Sequence, residues 1–222
     1  MCDSKNGFEK TKEFSFDTIS NFDEHIDISI PNYSGLIEHI LNISTYFIKD
    51  NSICYDFGCS TGKLIKLLKD KHKTNTNYIG IDKSDNMSNN NSFIVKADLS
   101  DFKPEKHCFS MFIFTLQFMD VSSRRNILRS VYDSLQSGGA VLISEKTFID
   151  NGFIQDLYSF SYYDFKLKNF SEKEIISKQL DLRYIMRPLS ENENIKMFKD
   201  CGFKTIETFW QSLQFKAWIL IK

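Results

Sequence analysis

The chain has 222 residues, 41% hydrophobic and 26% charged, with a formal net charge of −1. That length suits one domain with a modest insertion and a sizeable core. The near-neutral charge, without a basic block, argues against an extended direct footprint on nucleic acid, and no apolar run approaches the ~18 residues of a membrane span.

Residues 1–15 are polar, lack the apolar core of a signal peptide and are expected to be loose, leaving 16–222 as a single domain. Residues 16–32 carry scattered aromatics and end at Pro31, which stops any helix there. Leu36, Ile40, Ile43 and Phe47 recur at helical spacing and predict a helix over 34–50. A short apolar run, Ile53-Cys54-Tyr55, leads into the turn Asp56-Phe57-Gly58-Cys59-Ser60-Thr61-Gly62 and then an amphipathic helix to about His72. Further strands are predicted at 77–82 and 92–97, with a short helix or loop between them reaching Asn91. The run from Cys108 to Leu116, apolar on both faces, reads as a buried parallel strand. Ser122 is expected to cap the next helix, Gly138-Gly139 to end it, and Ala140-Val141-Leu142-Ile143-Ser144 to form a fifth strand. Residues 147–189 interrupt the alternation as two helices, the second opened by the capping box Ser171–Glu174. A second box, Ser190–Glu193, opens the last helix, Gly202 closes it, and two strands joined by a tight connection finish the chain. The alternation predicts an α/β, Rossmann-like doubly wound sheet with a helical insertion before the last helix.

The glycine turn follows a strand and opens a helix, which is where open α/β sheets hold ligands. A dinucleotide fingerprint requires G-x-G-x-x-G and fails here, because Ser60 and Lys63 occupy two of the glycine positions. A P-loop requires G-x-x-x-x-G-K-[ST]; Gly58 to Gly62-Lys63 is one residue short, and Leu64 replaces the hydroxyl. The turn instead resembles the acid-x-Gly-x-small-x-Gly turn of class I S-adenosylmethionine (SAM) transferases, which bring bare backbone close to a phosphate-free ligand. Asp82 closes the next strand, roughly 20 residues on, where an acid can hold both ribose hydroxyls. In the class that the turn resembles the third strand ends beside the adenine, which implies that Asp98, at the end of that strand, and Leu99 sit against its edge. Any one of these acids could serve only as a turn or helix cap; three at successive strand ends favour a shared site.

The five cysteines form no C-x-x-C pair, which fits reduced thiols in a cytoplasm. Cys59 reads as a small filler in the turn rather than a reactive thiol. The four histidines have no metal-ligand spacing, and no metal is expected.

More specific segments are Phe22-Asp23-Glu24, Pro31-Asn32-Tyr33-Ser34, Phe114-Thr115-Leu116-Gln117-Phe118, Ser144-Glu145-Lys146 and Asp164-Phe165-Lys166. Together with the glycine turn they resemble carboxy-S-adenosylmethionine synthases, from about residue 16 to the end. That family converts SAM and prephenate into a carboxylated SAM and phenylpyruvate, and the product serves tRNA wobble-uridine modification by a separate enzyme. The resemblance implies a homodimer, a seven-stranded sheet with its last strand antiparallel, and a cofactor pocket lined by Tyr33, Gly58, Cys59, Ser60, Asp82, Lys83, Asp98 and Leu99. Asp56 and Gly62 complete the turn. Two positions depart from the family pattern. Ile113 stands where the family has asparagine before Phe-Thr-Leu-Gln-Phe, and Gln179 stands where a helical arginine grips the added carboxylate. A neutral amide does not replace a bidentate guanidinium, so Lys178, Arg183 and Arg187 are the candidate substitutes.

Tyr33 is expected to cover the cofactor, although an ordinary half-buried tyrosine fits the same pattern. Gln117, just past the fourth strand, is a candidate substrate contact. Glu145 and Lys146 follow the fifth strand, and a solvated pair is one reading of them. Tyr162, like Tyr163, faces either the crevice or the core. Methyl transfer needs alignment more than a general base, and no catalytic residue is assigned. The resulting expectation is a SAM-dependent methyltransferase of this lineage acting on a small molecule. The alternatives are a carboxy-SAM synthase, binding SAM or its carboxylated form, and a non-catalytic SAM-binding regulator.

Overall fold

The computed structural model describes residues 22–84, 91–183 and 185–222. The expected loose N-terminus and the connection preceding Asn91 lie largely outside these residues.

The strands are β1 (Ile53–Phe57), β2 (Asn77–Asp82), β3 (Ile94–Lys96), β4 (His107–Ile113), β5 (Leu135–Lys146), β6 (Thr205–Ser212) and β7 (Phe215–Ile221). They form one seven-stranded sheet in the order β3-β2-β1-β4-β5-β7-β6. β1 to β5 pair in parallel, and β7 runs antiparallel to both β5 and β6. Strand order reverses between β1 and β4, so the ligand crevice of such a sheet opens at their carboxyl ends.

The helices are α1 (Phe22–Ser29), α2 (Tyr33–Ser44), α3 (Lys63–His72), α4 (Val121–Ser134), α5 (Gly152–Lys166), α6 (Glu172–Leu182) and α7 (Glu191–Asp200). Alternate residues of a strand face opposite sides of the sheet, and the core divides accordingly. On one face, Leu36 and Ile40 of α2 and Leu64, Ile65 and Leu68 of α3 pack with Cys54, Phe109, Met111 and Leu142. On the other, Ile127, Leu128 and Val131 of α4 and Met197 and Phe198 of α7 pack with Tyr55, Phe57, Phe112, Ile143 and Trp218. Each fully buried large side chain contributes about 1.5–3 kcal/mol.

Several boundaries differ from the sequence expectation. Helix α1 was not anticipated; it stops at Ser29, two residues before Pro31, as a following proline demands. Helix α2 ends at Ser44 rather than near residue 50. The cap of α4 is Asp120, not Ser122: its carboxylate accepts the Ser123 backbone N–H at 2.9 Å. Gly138 and Gly139 do not end that helix, which stops at Ser134. They lie inside β5, where a Cβ on Gly139 would come within 2.7 Å of the Cys108 carbonyl oxygen. The fourth strand ends at Ile113, and Leu116–Phe118 form a 3₁₀ turn. Both capping boxes are present, at Ser171 with Glu174 and Ser190 with Glu193.

Candidate functional site

The glycine turn is fastened to the end of β2. Gly58 and Cys59 donate their N–H groups to the Ile81 carbonyl at 2.7 and 3.1 Å. Ser60 N–H donates to Asp82 Oδ2 at 2.8 Å, and Ser84 N–H donates to Oδ1 at 3.0 Å. Gly58 has φ +77°, and a Cβ there would sit 2.5 Å from Thr115 Oγ1, so the position requires glycine on two counts. Thr115 Oγ1 in turn donates to the Phe57 carbonyl at 3.0 Å, joining the ends of β1 and β4.

Asp56 is 3% exposed. Burial, reinforced by the charge of Asp82, pushes its carboxyl up to about 7. Among the described residues its side chain has no hydrogen-bond or ion-pair partner. Tyr33 opens α2 beside it, its phenol pushed up by burial and then by the charges of Asp56, Asp27 and Asp23. Helix α1 docks on the turn through Thr61 Oγ1, which donates to Asp23 Oδ1 at 2.9 Å, and through a 3.6 Å Lys63–Asp27 pair. The turn therefore sits among four acids and one tyrosine.

Asp98 is exposed, and its carboxylate accepts the Ser100 N–H at 2.8 Å. That hydrogen bond, with the Lys83 charge adding, holds it below the ordinary carboxylate range. Leu99 packs on the α4 side of the core, and Ile113 closes β4 against the α2 side without a polar side-chain atom to offer.

Gln117, a candidate substrate contact, is buried, and its side-chain oxygen is engaged. Gln117 Oε1 accepts the Lys146 N–H at 2.8 Å, and its carbonyl accepts the Arg187 N–H at 2.8 Å. Glu145 and Lys146 do not form a solvated pair, because neighbouring strand residues point to opposite faces. Glu145 is 2% exposed, accepts the Leu116 N–H at 3.0 Å, and is pushed up to about 8 by burial against the opposing charge of Arg124. Arg124 itself donates to the carbonyls of Met119 and Arg187.

Lys146 turns to the other face, with Nζ 5.3 Å from the Tyr162 ring centre and 6.0 Å from that of Phe215. Lys166, the last residue of α5, is 5% exposed, with Nζ 5.6 Å from the Tyr162 ring and 5.1 Å from the Phe170 ring. Tyr162 is buried and donates its hydroxyl to the Ser29 carbonyl at 2.9 Å. Burial and then Lys166 bring Lys146 down to about 8. Lys178 on α6 comes down to about 8 by burial and then Lys166, with Asp181 opposing. Burial, Lys178 and Lys166 also hold His25 below its ordinary range. Of the three candidate cations, the structure thus brings Lys178 into this cluster; Arg183 and Arg187 are exposed, and Gln179 is partly buried on α6. Lys166 was missed as a candidate, although the Asp-Phe-Lys motif contained it.

A run of aromatic contacts links the two regions: Tyr33 to Phe114 at 6.3 Å, Phe114 to Phe215 at 5.9 Å, and Phe215 to Tyr162 at 5.2 Å between ring centres. Two surface grooves, one lined by Lys69, Tyr78 and Phe93 and the other by Phe148, Tyr158 and Glu191, contain none of these site residues.

Residues 54–139 match the family model described as a methyltransferase domain. A carboxy-S-adenosyl-L-methionine synthase of Staphylococcus epidermidis is 33% identical over 216 residues, covering 92% of this chain and 94% of the relative. One from Nautilia profundicola is 34% identical, covering 96% of each. Among solved structures, human N-acetylserotonin methyltransferase in complex with SAM aligns with a TM-score of 0.61 at 13% identity, over 86% of this chain and 52% of that one. The chain thus spans about half the length of that structural neighbour. A SAM-dependent methyltransferase from Archaeoglobus fulgidus aligns with a TM-score of 0.59 at 13% identity, over 85% of this chain and 94% of that one. These structural likenesses carry the fold.

Proposed function

The chain belongs to the carboxy-S-adenosyl-L-methionine synthase family, and from that premise we propose that it is a SAM-dependent transferase whose leading activity is methyl transfer to a small organic acid. The observation that carries this reading is Asp56, a buried carboxylate beside Asp82 with no partner among the described residues. A buried charge calls for an opposite one, and SAM offers two cations, its sulfonium and its amino group. The close backbone at Gly58 fits the same ligand.

In this reading Asp56, Gly58, Cys59, Ser60 and Gly62 hold the methionine moiety, Asp82 and Lys83 the ribose, and Asp98 and Leu99 the adenine. Tyr33 covers the ligand, and Ile113 gives an apolar contact. SAM supplies an electrophilic methyl on a good leaving group, so the chain's task is to align acceptor and methyl and to exclude water. His25, held neutral beside the lysines, is not needed as a base.

Carboxy-SAM synthesis is the second reading. It is favoured by the names of the relatives and by the cations of Lys146, Lys166 and Lys178, which can stand in for the guanidinium that Gln179 lacks. Incubating the protein with SAM and prephenate, read by mass spectrometry, separates the two. A product heavier than SAM by one carbon dioxide establishes the second reading. S-adenosylhomocysteine formed only with an added organic acid establishes the first, and neither product in any mixture sinks both.

We further propose a homodimer joined through the helical insertion, acting in a reducing cytoplasm on small molecules rather than nucleic acid. Phe153, Leu157 and Phe160 are exposed along one side of α5, as are Ile176 and Leu180 on α6, and such a patch supports an interaction surface. The four described cysteines are buried free thiols, which suits a reducing compartment.

A further inference from the structure

We propose that Glu145 is a positioning residue for the cofactor pocket: through the turn after β4 it fixes where Thr115 stands against Gly58. The turn runs from Phe114 to Met119, with Leu116–Phe118 as its 3₁₀ core. Phe114 enters it with φ +55°, in the left-handed region that a bulky residue rarely adopts. Such a conformation persists only where its surroundings hold it, and two consecutive residues of β5 do so. The Phe114 N–H donates to the Ser144 carbonyl at 2.8 Å, and the Leu116 N–H donates to Glu145 Oε1 at 3.0 Å. Burial opposes the charged form of Glu145, while Arg124 and the N–H groups of Leu116, Gln117 and Thr115 favour it. Arg124 serves the opposite polarity. Its Nε donates to the Met119 carbonyl at 3.0 Å, and its Nη2 donates to the Arg187 carbonyl at 2.6 Å. One buried acid thus holds donors of the turn, and one buried base holds an acceptor where the turn ends.

Stability alone does not account for two charged side chains at this depth. Glu145 is 2% exposed and Arg124 1% exposed, and apolar side chains of similar volume often match or better a buried pair of charges. What the two charges add is direction, because each fixes particular N–H and carbonyl groups of the turn. That direction is used at Thr115. Its Oγ1 donates to the Phe57 carbonyl at 3.0 Å and lies 2.5 Å from where a Cβ on Gly58 would stand. Phe114, beside it, meets Tyr33 on one side and Phe215 on the other. The Gln117 carbonyl accepts the Arg187 N–H, which ties the turn to the segment leaving the helical insertion. The glycine turn is therefore braced from both neighbouring strands, by Asp82 at the end of β2 and by Glu145 acting through the turn at the end of β4.

The ligand named here rests on the SAM reading, whereas the brace is read without any ligand. Backbone amide resonances of the ligand-free protein report the brace, and calorimetric titration with SAM reports its effect on the pocket. Glu145→Ala leaves buried N–H groups without an acceptor, and SAM affinity is expected to fall at least about tenfold. Glu145→Gln keeps one acceptor oxygen and is expected to recover part of that loss, remaining about threefold weaker than the wild type. In both variants the amide resonances of Leu116, Thr115 and Gly58 are expected to move. Leu220→Ala is the control for lost stability alone, because it empties a fully buried position of β7 paired with Val141 rather than with the strand ends at the crevice. It is expected to lower the melting temperature at least as much as Glu145→Gln while keeping SAM affinity within about twofold. If Glu145→Ala does not fold, Glu145→Gln carries the test. Undiminished SAM affinity in Glu145→Gln, a Gly58 resonance that stays in place, or an equal loss of affinity in Leu220→Ala would each overturn the proposal. A wild type that ignores SAM while its Gly58 resonance is displaced by Glu145→Gln would support the brace and sink the SAM reading.

Discussion

Ser60 donates its backbone N–H to Asp82 Oδ2 at 2.8 Å, so the conformation of the glycine turn and the orientation of the acid closing β2 are set together. Among the described residues each Asp82 oxygen accepts one backbone N–H, and a carboxylate has about four acceptor sites. The carboxylate is held in place while retaining capacity for ribose hydroxyls. Asp82→Ala removes both the acceptor and the brace. With hydrogen bonds to charged groups worth about 1.5–3 kcal/mol, SAM affinity is expected to fall at least about tenfold by calorimetry.

Gly58→Ala tests the turn itself. A left-handed non-glycine residue costs about 1–2 kcal/mol, and here the new Cβ also meets Thr115 Oγ1. Denaturant unfolding is expected to show at least that loss of stability. Combining it with Thr115→Ala should recover the steric part and leave the backbone part.

Gln117 braces the end of β5 through its side-chain oxygen. Gln117→Leu leaves the Lys146 N–H without its acceptor, at a cost of about 1–3 kcal/mol. The melting temperature should fall by roughly 2–4 °C per kcal/mol, with SAM affinity changed less than about threefold.

Four shifted groups give the ligand-free protein a stability profile with its low point near pH 8. Asp56 and Glu145 are raised, chiefly by burial, to about 7 and about 8. Their contribution is fully present below the ordinary carboxylate range and is lost as pH rises through those values. Lys146 and Lys178 are lowered, chiefly by burial, to about 8. Their charged forms cost stability below that point, and the cost is relieved between about 8 and their ordinary 10.5. Thermal unfolding from about pH 5 to about pH 10 checks the minimum, and Asp56→Asn should flatten its acid side.

The exposed phenylalanines of α5 predict the oligomeric state. Light scattering should give a dimer for the wild type and a monomer for Phe153→Glu combined with Phe160→Glu, with the far-ultraviolet circular dichroism unchanged. A wild-type monomer would rule out the dimer.

Much of this was legible in the sequence, for identifiable reasons. The glycine turn, the parallel strands and both capping boxes are written in local patterns of spacing and residue type, and all are present, with the strand ends shifted by a few residues. The cap of α4 was misread because Asp120 and Ser122 both suit an N-cap, and only backbone geometry separates them. Gly138 and Gly139 looked like a helix stop because the close approach of β5 to Cys108 is a tertiary fact. Lys166 is 20 residues from Lys146, and no local spacing reveals that both reach the ring of Tyr162. Asp56 was visible as a motif residue, but its lack of a partner was not.

The central claim is that the turn from Asp56 to Gly62 holds SAM. Calorimetric titration of the purified, folded protein with SAM tests it most directly. Saturable binding of one SAM per chain, lost or greatly weakened in Asp82→Ala, is the predicted result; no binding of SAM by the folded wild-type chain would contradict it.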